Sequence, residues 1–231
     1  MPALLRVIGL VPGSIALLGL GWSATAEAQE TPLVVTYGPE ASTAEGDPDF
    51  REVIFLSVPD GLEDRLYLRV FDPDTGGEHD LVYDVPDDTQ VRFTLFGGEG
   101  AYTGAAGAGV EAGAEQLAAG AALGEQVIAA SAALDDRWQT LFTVAAEQGE
   151  AVGGRRVFRL QVEGVAGDDA NLYAVTLSLR DRRNLAPQDL EIVDFAPTAR
   201  VPDETRITEL RFPVPADAER LTVRNFDAAN G

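Results

Sequence analysis

A short alternating segment that ends in an acidic turn constrains the fold of this chain more than any other feature. Leu66, Leu68 and Val70 alternate with polar or aromatic side chains. A period of two is typical of a β-strand that buries one face. A turn rich in Asp, Glu, Pro and Gly follows over residues 72–80. The segment therefore predicts a half-buried strand that leads directly into a tight turn.

Similar segments recur along the chain and are interrupted by Pro, Gly and Asp. We expect further strands over residues 33–37, 53–58, 81–85, 90–96, 137–145, 156–163 and 172–179. Strands of this length, separated by turn residues at short intervals, are typical of an antiparallel β-sandwich or jelly roll. The fold class predicted is therefore all-β.

Residues 101–134 interrupt the strand pattern with a segment made mostly of Ala and Gly. Residues 111–123 could form a short helix, but each glycine in a helix interior costs about 1 kcal/mol. We interpret the segment as an insertion or long loop. Its last part, residues 125–130, can pair as a strand.

The beginning of the chain has the pattern of a signal peptide. A basic residue precedes the apolar run 7–20, and Ala26 and Ala28 offer the small side chains that a signal peptidase reads. We predict that residues 1–28 are removed. The apolar run is shorter than the roughly 20 residues that cross a bilayer. We therefore expect a secreted or periplasmic protein with no membrane insertion after cleavage.

The end of the chain repeats part of the central strand. Residues 220–227 match residues 65–72 at five of eight positions. The charged segment 181–187 ends in proline and suits a domain boundary. We expect one sandwich domain over residues 29–183, followed over residues 184–231 by the truncated start of a second β-sandwich repeat.

Composition excludes several classes of partner and chemistry. The chain has 38 acidic and 17 basic residues, for a net charge of -21 at pH 7. Nucleic acid and anionic membrane surfaces are poor partners for such a charge. There is no cysteine and only one histidine. Disulfides are therefore excluded, and we expect neither a zinc site nor a Ser-His-Asp triad.

The acidic turn is the sharpest candidate for chemistry. Four carboxylates fall within nine residues around two glycines, namely Asp72, Asp74, Glu78 and Asp80. Calcium takes six to eight oxygen ligands, and acidic loops made rigid by glycine supply them. The loop is not an EF-hand, because Gly76 and Tyr83 stand where that loop has ligands. A calcium site is one interpretation, and an acidic turn without metal is the other.

A second acidic turn, with the sequence Gly-Asp-Asp-Ala-Asn-Leu-Tyr, occupies residues 167–173. With its flanking strands, over residues 157–179, it resembles secreted bacterial β-sandwich modules of the pre-peptidase C-terminal type, in which a strand leads into Gly-Asp-x-Asp-Leu-Tyr. The resemblance implies a non-catalytic accessory module, in some members with calcium at the acidic turn. The positions that it marks are Asp168, Asp169 and Asn171.

These patterns favour a non-enzymatic binding or spacer module of a multi-domain envelope or extracellular protein, stabilised by calcium if the acidic turn binds it. The expected partner is a polysaccharide or an envelope protein. A carbohydrate-binding module is the first alternative, and the aromatic residues that could stack on sugars are Tyr67, Phe71, Tyr102 and Trp138. A glycan-active hydrolase is the second, and it would need two facing carboxylates in a deep cleft.

Overall fold

The computed structural model describes residues 30–31, 33–41, 50–82, 88–104 and 119–194. These residues form strands and no α-helix, and within them no helix is long and apolar enough to cross a membrane. The strands are β1 (Val34–Tyr37), β2 (Arg51–Pro59), β3 (Arg65–Phe71), β4 (Gln90–Gly97), β5 (Ala121–Ala129), β6 (Trp138–Ala145), β7 (Glu150–Val152), β8 (Arg155–Ala166), β9 (Ala170–Ser178) and β10 (Glu191–Asp194). A 3-10 turn, Ala146–Gln148, joins β6 to β7.

The strands form two antiparallel sheets that pack against each other. One sheet has four strands in the order β1-β9-β3-β6. The other has the order β10-β2-β8-β4-β5, and β7 pairs with β8 beside this path. The prediction of an all-β fold with an antiparallel sandwich is confirmed.

The core lies between the two sheets and follows the alternation of the sequence. Leu66, Leu68 and Val70 of β3 are fully buried, and they belong to one cluster with Phe93 and Leu160 from the opposite sheet. Burying a side chain of this size contributes about 1.5–3 kcal/mol. Burial of these alternating side chains therefore fixes which face of each sheet points inward.

The structure of the Ala/Gly segment contradicts the end of the helix that residues 111–123 could form. Strand β5, Ala121–Ala129, pairs with β4, and Ala122 lies opposite Phe96. A helix that reaches residue 123 is therefore wrong at residues 121–123, because their backbone groups pair with a neighbouring strand. Pairing of the last part of the segment is confirmed. Residues 105–118 lie outside the described part of the chain.

The sandwich extends beyond the boundary that we expected near residue 183. Strand β10, Glu191–Asp194, pairs with β2, and Ala186 and Leu190 belong to the main core. The segment 181–187 is a loop of the same sandwich, where the backbone oxygen of Asp181 accepts a hydrogen bond from Thr140 at 2.7 Å. Residues 184–194 therefore belong to this sandwich and not to a second repeat. The rest of the expected repeat, residues 195–231, lies outside the described residues, as do the signal peptide and residues 83–87.

Candidate metal centre

The acidic turn lies at the end of β3, between the ends of its two neighbouring strands. Antiparallel pairing sets Phe71 opposite Trp138 of β6 and opposite Ala174 of β9. The residues after Phe71 therefore lie beside those before Trp138 and beside those before Ala174. Asp72 makes the bend with a left-handed backbone, φ 51°, and its N–H donates to the Arg137 oxygen at 3.1 Å. Asp tolerates this conformation better than most residues.

Asp72 and Asp74 are buried, and each has one oxygen with a partner. The Asp136 N–H donates to Oδ1 of Asp72 at 2.9 Å, and the Ser131 N–H donates to Oδ2 of Asp74 at 2.6 Å. Oδ2 of Asp72 and Oδ1 of Asp74 have no hydrogen-bond partner among the described residues. An unpaired buried carboxylate oxygen costs free energy unless a cation or a proton compensates it.

Asp80 and Glu78, the other two predicted calcium ligands, have no unpaired buried oxygen among the described residues. Both oxygens of Asp80 have partners, since Oδ2 accepts from the Gly76 N–H at 2.8 Å and Oδ1 from the Leu172 N–H at 2.6 Å. Asp80 therefore fastens the turn to itself and to β9. Glu78 is exposed. Of the four predicted carboxylates, two therefore have a buried oxygen without a hydrogen-bond partner among the described residues, namely Asp72 and Asp74.

Asn171, which the sequence assigned to the second acidic turn, lies in β9 and contacts the first acidic turn. It is fully buried, and its Nδ2 donates to the Pro73 oxygen at 3.0 Å. Its Oδ1 has no hydrogen-bond partner in the described part of the chain. Asn171 therefore adds a neutral oxygen from β9 to the buried carboxylates of the turn.

Asp168 and Asp169 lie apart from the turn after β3. Each offers a carboxylate oxygen within 4.8 Å of the other and of Asp88. The Asp169 N–H donates to the Thr89 hydroxyl at 2.8 Å. These contacts form the turn between β8 and β9, and we assign no ligand to this group.

Sequence reasoning missed Asp135 and Asp136, which complete the site from the loop before β6. We use the term acidic cluster for the aspartates of the two segments together with the single histidine and Asn171. Its members are Asp72, Asp74, His79, Asp80, Asp135, Asp136 and Asn171. The sequence held one signal for them, because two adjacent aspartates directly precede a strand. Gly77 shows how tightly the segments fit, since a Cβ there would lie 1.8 Å from Oδ1 of Asp135.

A cleft of about 240 Å³ opens at one side of the acidic cluster. Its lining residues are Asp74, Thr75, Gly76, Gly77, Ala130, Ser131, Ala132 and Asp135. Thr75 is fully buried, and neither its Oγ1 nor Oδ1 of Asp135 has a hydrogen-bond partner among the described residues. With Oδ1 of Asp74, three unpaired oxygens therefore belong to residues of this one cleft.

The electrostatics of the acidic cluster favour a proton or a cation. The pKa of Asp72 is raised to about 7, mainly by burial and also by the charges of Asp136, Asp74 and Asp135, although the Asp136 N–H opposes the rise. Burial raises the pKa of Asp80 to about 8, although the Leu172 N–H opposes this. The pKa of Asp74 is also raised, mainly by burial. The carboxylates thus repel one another whenever all are ionised.

His79 lies at the other side of the acidic cluster. Its Nδ1 contacts the Asp136 carboxylate, and its ring packs edge-on against Phe71 with 5.6 Å between centroids. Ligand atoms of Asp72, His79 and Asp136 all lie within 4.8 Å of one another.

The four candidate sugar-stacking residues do not form one row. Tyr102 packs edge-on against Phe55 of β2, with 5.1 Å between ring centroids. Phe71 and Trp138 pair on the other sheet, with 5.8 Å between centroids, and Tyr67 is half-buried there. The aromatic side chains are therefore divided between two sheets.

Neither a family model, nor a curated protein, nor a solved structure matches the chain. The resemblance of residues 157–179 to pre-peptidase C-terminal modules stays an expectation. The class that the fold and the site define is an antiparallel β-sandwich with a candidate cation centre at the end of β3.

Proposed function

We propose that the protein is a non-enzymatic binding or spacer module of an exported multi-domain protein, and that calcium bound in the acidic cluster stabilises its sandwich. The observation that carries the calcium proposal is the set of buried oxygens without hydrogen-bond partners among the described residues at the cleft, from Asp74, Thr75 and Asp135. Carboxylate and hydroxyl oxygens are the ligands that a hard cation takes.

The size of the cleft suits a hydrated ion. A volume of about 240 Å³ leaves room for water molecules beside an ion. Calcium takes six to eight oxygens, so water can complete the shell that three protein oxygens begin. Small-molecule sites usually measure about 300–1,000 Å³, so this cleft is small for a polysaccharide chain or its hydrolysis, and we propose it as an ion site rather than a sugar site.

The position of the cleft explains how calcium would stabilise the fold. Its oxygens come from the turn after β3 and from the loop before β6, and the two segments meet only in the folded chain. A cation between them would neutralise carboxylates that otherwise repel. Because the unfolded chain separates these ligands, the ion would bind the folded state preferentially.

The module role rests on the fold and on the sequence. The described residues from β1 to β10 form two sheets around one hydrophobic core. Residues 1–28 have the pattern of an export signal, and the net charge of -21 keeps such a surface soluble. An envelope protein or a polysaccharide is the partner that we propose for it.

Thermal unfolding of the purified chain, in EDTA and in millimolar calcium, tests the calcium proposal. Ligand at about 100 times its Kd stabilises by about 2.7 kcal/mol, which raises the Tm of a domain of this size by roughly 5–10 °C. Asp74→Asn should abolish the rise, because it removes a charged ligand and keeps the shape. Asp64→Asn, at an exposed acid of another turn, is the matched control and should keep the rise. An equal Tm of the wild type in both buffers would overturn the proposal.

A further inference from the structure

We propose that the acidic cluster holds a second metal site, in which His79, Asp136 and Asp72 bind a transition-metal cation of the zinc class. This site goes beyond the proposed calcium function because it contains a nitrogen ligand and takes a different class of metal. It also departs from the expectation, drawn from the single histidine and the lack of cysteine, that the chain has no zinc site, because the fold brings two carboxylates beside that histidine. It lies at the His79 side of the cluster and uses none of the three oxygens of the cleft.

The three side chains are already close enough to share one ion. A ring nitrogen of His79, a carboxylate oxygen of Asp72 and one of Asp136 lie within 4.8 Å of one another. Ligands about 2.1 Å from a tetrahedral zinc are roughly 3.4 Å apart. Side-chain adjustments of about an ångström therefore complete the geometry without a change in the backbone.

An ion pair between His79 and Asp136 does not account for the arrangement. Asp72 is fully buried, and its Oδ2 has no hydrogen-bond partner among the described residues. A protonated imidazole carries one positive charge, and Asp136 already contacts it. A divalent cation compensates both carboxylates and gives Oδ2 of Asp72 a ligand bond, which a single imidazolium beside Asp136 does not.

The types of ligand select the class of metal. Imidazole nitrogen and carboxylate oxygen together suit zinc and its neighbours in the first transition row, whereas calcium takes oxygen ligands. Three protein ligands leave a fourth position for water. Water can reach it, because the side chains of His79 and Asp136 are 40% and 35% exposed.

Neighbouring groups orient the ligands. The Asp136 N–H holds Oδ1 of Asp72 at 2.9 Å, so that Oδ2 is the oxygen left for a metal. The edge-on contact with Phe71 restricts the ring of His79. Such outer contacts are typical of metal centres, where they fix the orientation of the ligands.

The single histidine of the chain makes the test specific. The chain is purified without a histidine tag and stripped with EDTA, and calcium is kept at saturation. We expect Zn²⁺ to shift the ring-proton resonances of His79 and to raise the Tm. Co²⁺ should give visible absorption bands that depend on the same histidine.

Two variants separate this site from the calcium cleft. His79→Gln should weaken zinc binding at least about tenfold and leave the calcium-induced rise in Tm unchanged. Asp74→Asn should lose the calcium response and keep the zinc response. Asp64→Asn is the control for both metals.

The second site is overturned if Zn²⁺ leaves the His79 resonances unmoved, or if His79→Gln binds zinc as tightly as the wild type. It is also overturned if His79→Gln loses the calcium and zinc responses together, because that result means one shared site. A chain that ignores calcium but binds zinc through His79 would contradict the proposed calcium function and support the second site.

Discussion

Asp72 combines two properties that an ordinary turn residue does not need together. Its backbone is left-handed, at φ 51°, and its side chain is fully buried. A buried carboxyl group with one unpaired oxygen is stable in only two forms, protonated or bound to a cation. Protons and metal cations therefore compete for the carboxylate of Asp72.

The metal-free protein should lose stability as the pH rises. The pKa values of Asp72 and Asp80 in the folded chain are raised from 3.8 to about 7 and about 8. Between pH 3.8, the ordinary pKa, and about pH 8, the folded state binds more protons than the unfolded state. The free energy of unfolding therefore falls from about pH 4 to about pH 8. Urea unfolding in EDTA at pH 5 and pH 8 measures this.

Asp72→Asn provides the control for the pH prediction, because it removes one of the titrating groups. The variant should show a smaller fall in unfolding free energy over the same range. In saturating calcium the wild type should change less with pH, because the nearby cation would offset the charges of Asp72 and Asp80 once they ionise. Equal stability of the metal-free wild type at pH 5 and pH 8 would contradict the raised pKa values.

Gly77 offers a test of how closely the two segments of the cluster must approach. Gly77→Ala would place a Cβ where Asp135 now lies, at 1.8 Å from its Oδ1, and would strain a backbone with φ 79°. We expect a loss of more than about 1 kcal/mol in unfolding free energy and weaker calcium binding.

Gly61→Ala is the matched control, with a similar φ of 82° and no atom within 4 Å of its Cβ among the described residues. It carries the backbone strain alone and should leave calcium affinity unchanged. Calorimetric titration of both variants compares the affinities. Equal affinities would mean that Asp135 does not contribute to the site.

At the scale of elements, β3 shows what the sequence can predict. Its bounds, Arg65–Phe71, agree with the alternating segment because only one of its faces packs in the core. Strand β9 is buried along its whole length, so alternation does not mark its first residues. Within the described ranges the short strand β7 pairs with β8 alone, and its three residues carry too little pattern to be predicted.

The sequence could predict only those residues of the candidate site that lie close together in the chain. Asp72 and Asp74 follow a strand and attract attention as a turn. Asp136 joins them because β3 pairs with β6, and Asn171 because β3 pairs with β9. Strand order is a tertiary property that alternation does not determine, so the other half of the site required the structure.

Arg159 of β8 anchors the Ala/Gly segment at Ala101 and at Ala119. Its guanidinium lies 4.1 Å from the centre of the Phe96 ring and donates to the Ala101 and Ala119 oxygens at 3.4 and 2.9 Å. Arg159→Ala would leave a cavity and remove both donors, so we expect a loss of about 3 kcal/mol or more in unfolding free energy.

Arg156→Ala is the matched control on the same strand. Arg156 pairs with the exposed side of Asp60, and surface ion pairs contribute about 0–1 kcal/mol. Urea unfolding of the two variants should therefore separate them by at least about 2 kcal/mol. Similar losses would mean that Arg159 does not hold the segment in place.

At the scale of the whole molecule, charge and topology act on the same place. The chain carries a net charge of -21, and three of its buried carboxylates, those of Asp72, Asp74 and Asp80, lie in the turn at the end of β3. Self-repulsion opposes the compact state, and a bound cation reduces it where it is strongest. Under the calcium proposal, the stability of the described sandwich would depend on the calcium of its surroundings.

Calorimetric titration of the EDTA-stripped chain with calcium at pH 7.5 tests this account most directly. We predict saturable binding that Asp74→Asn abolishes and Asp64→Asn preserves. Binding in the wild type that neither variant alters would place the ion elsewhere on the acidic surface. A wild-type titration without saturable binding would contradict the account, and the acidic cluster would then be a protonated turn.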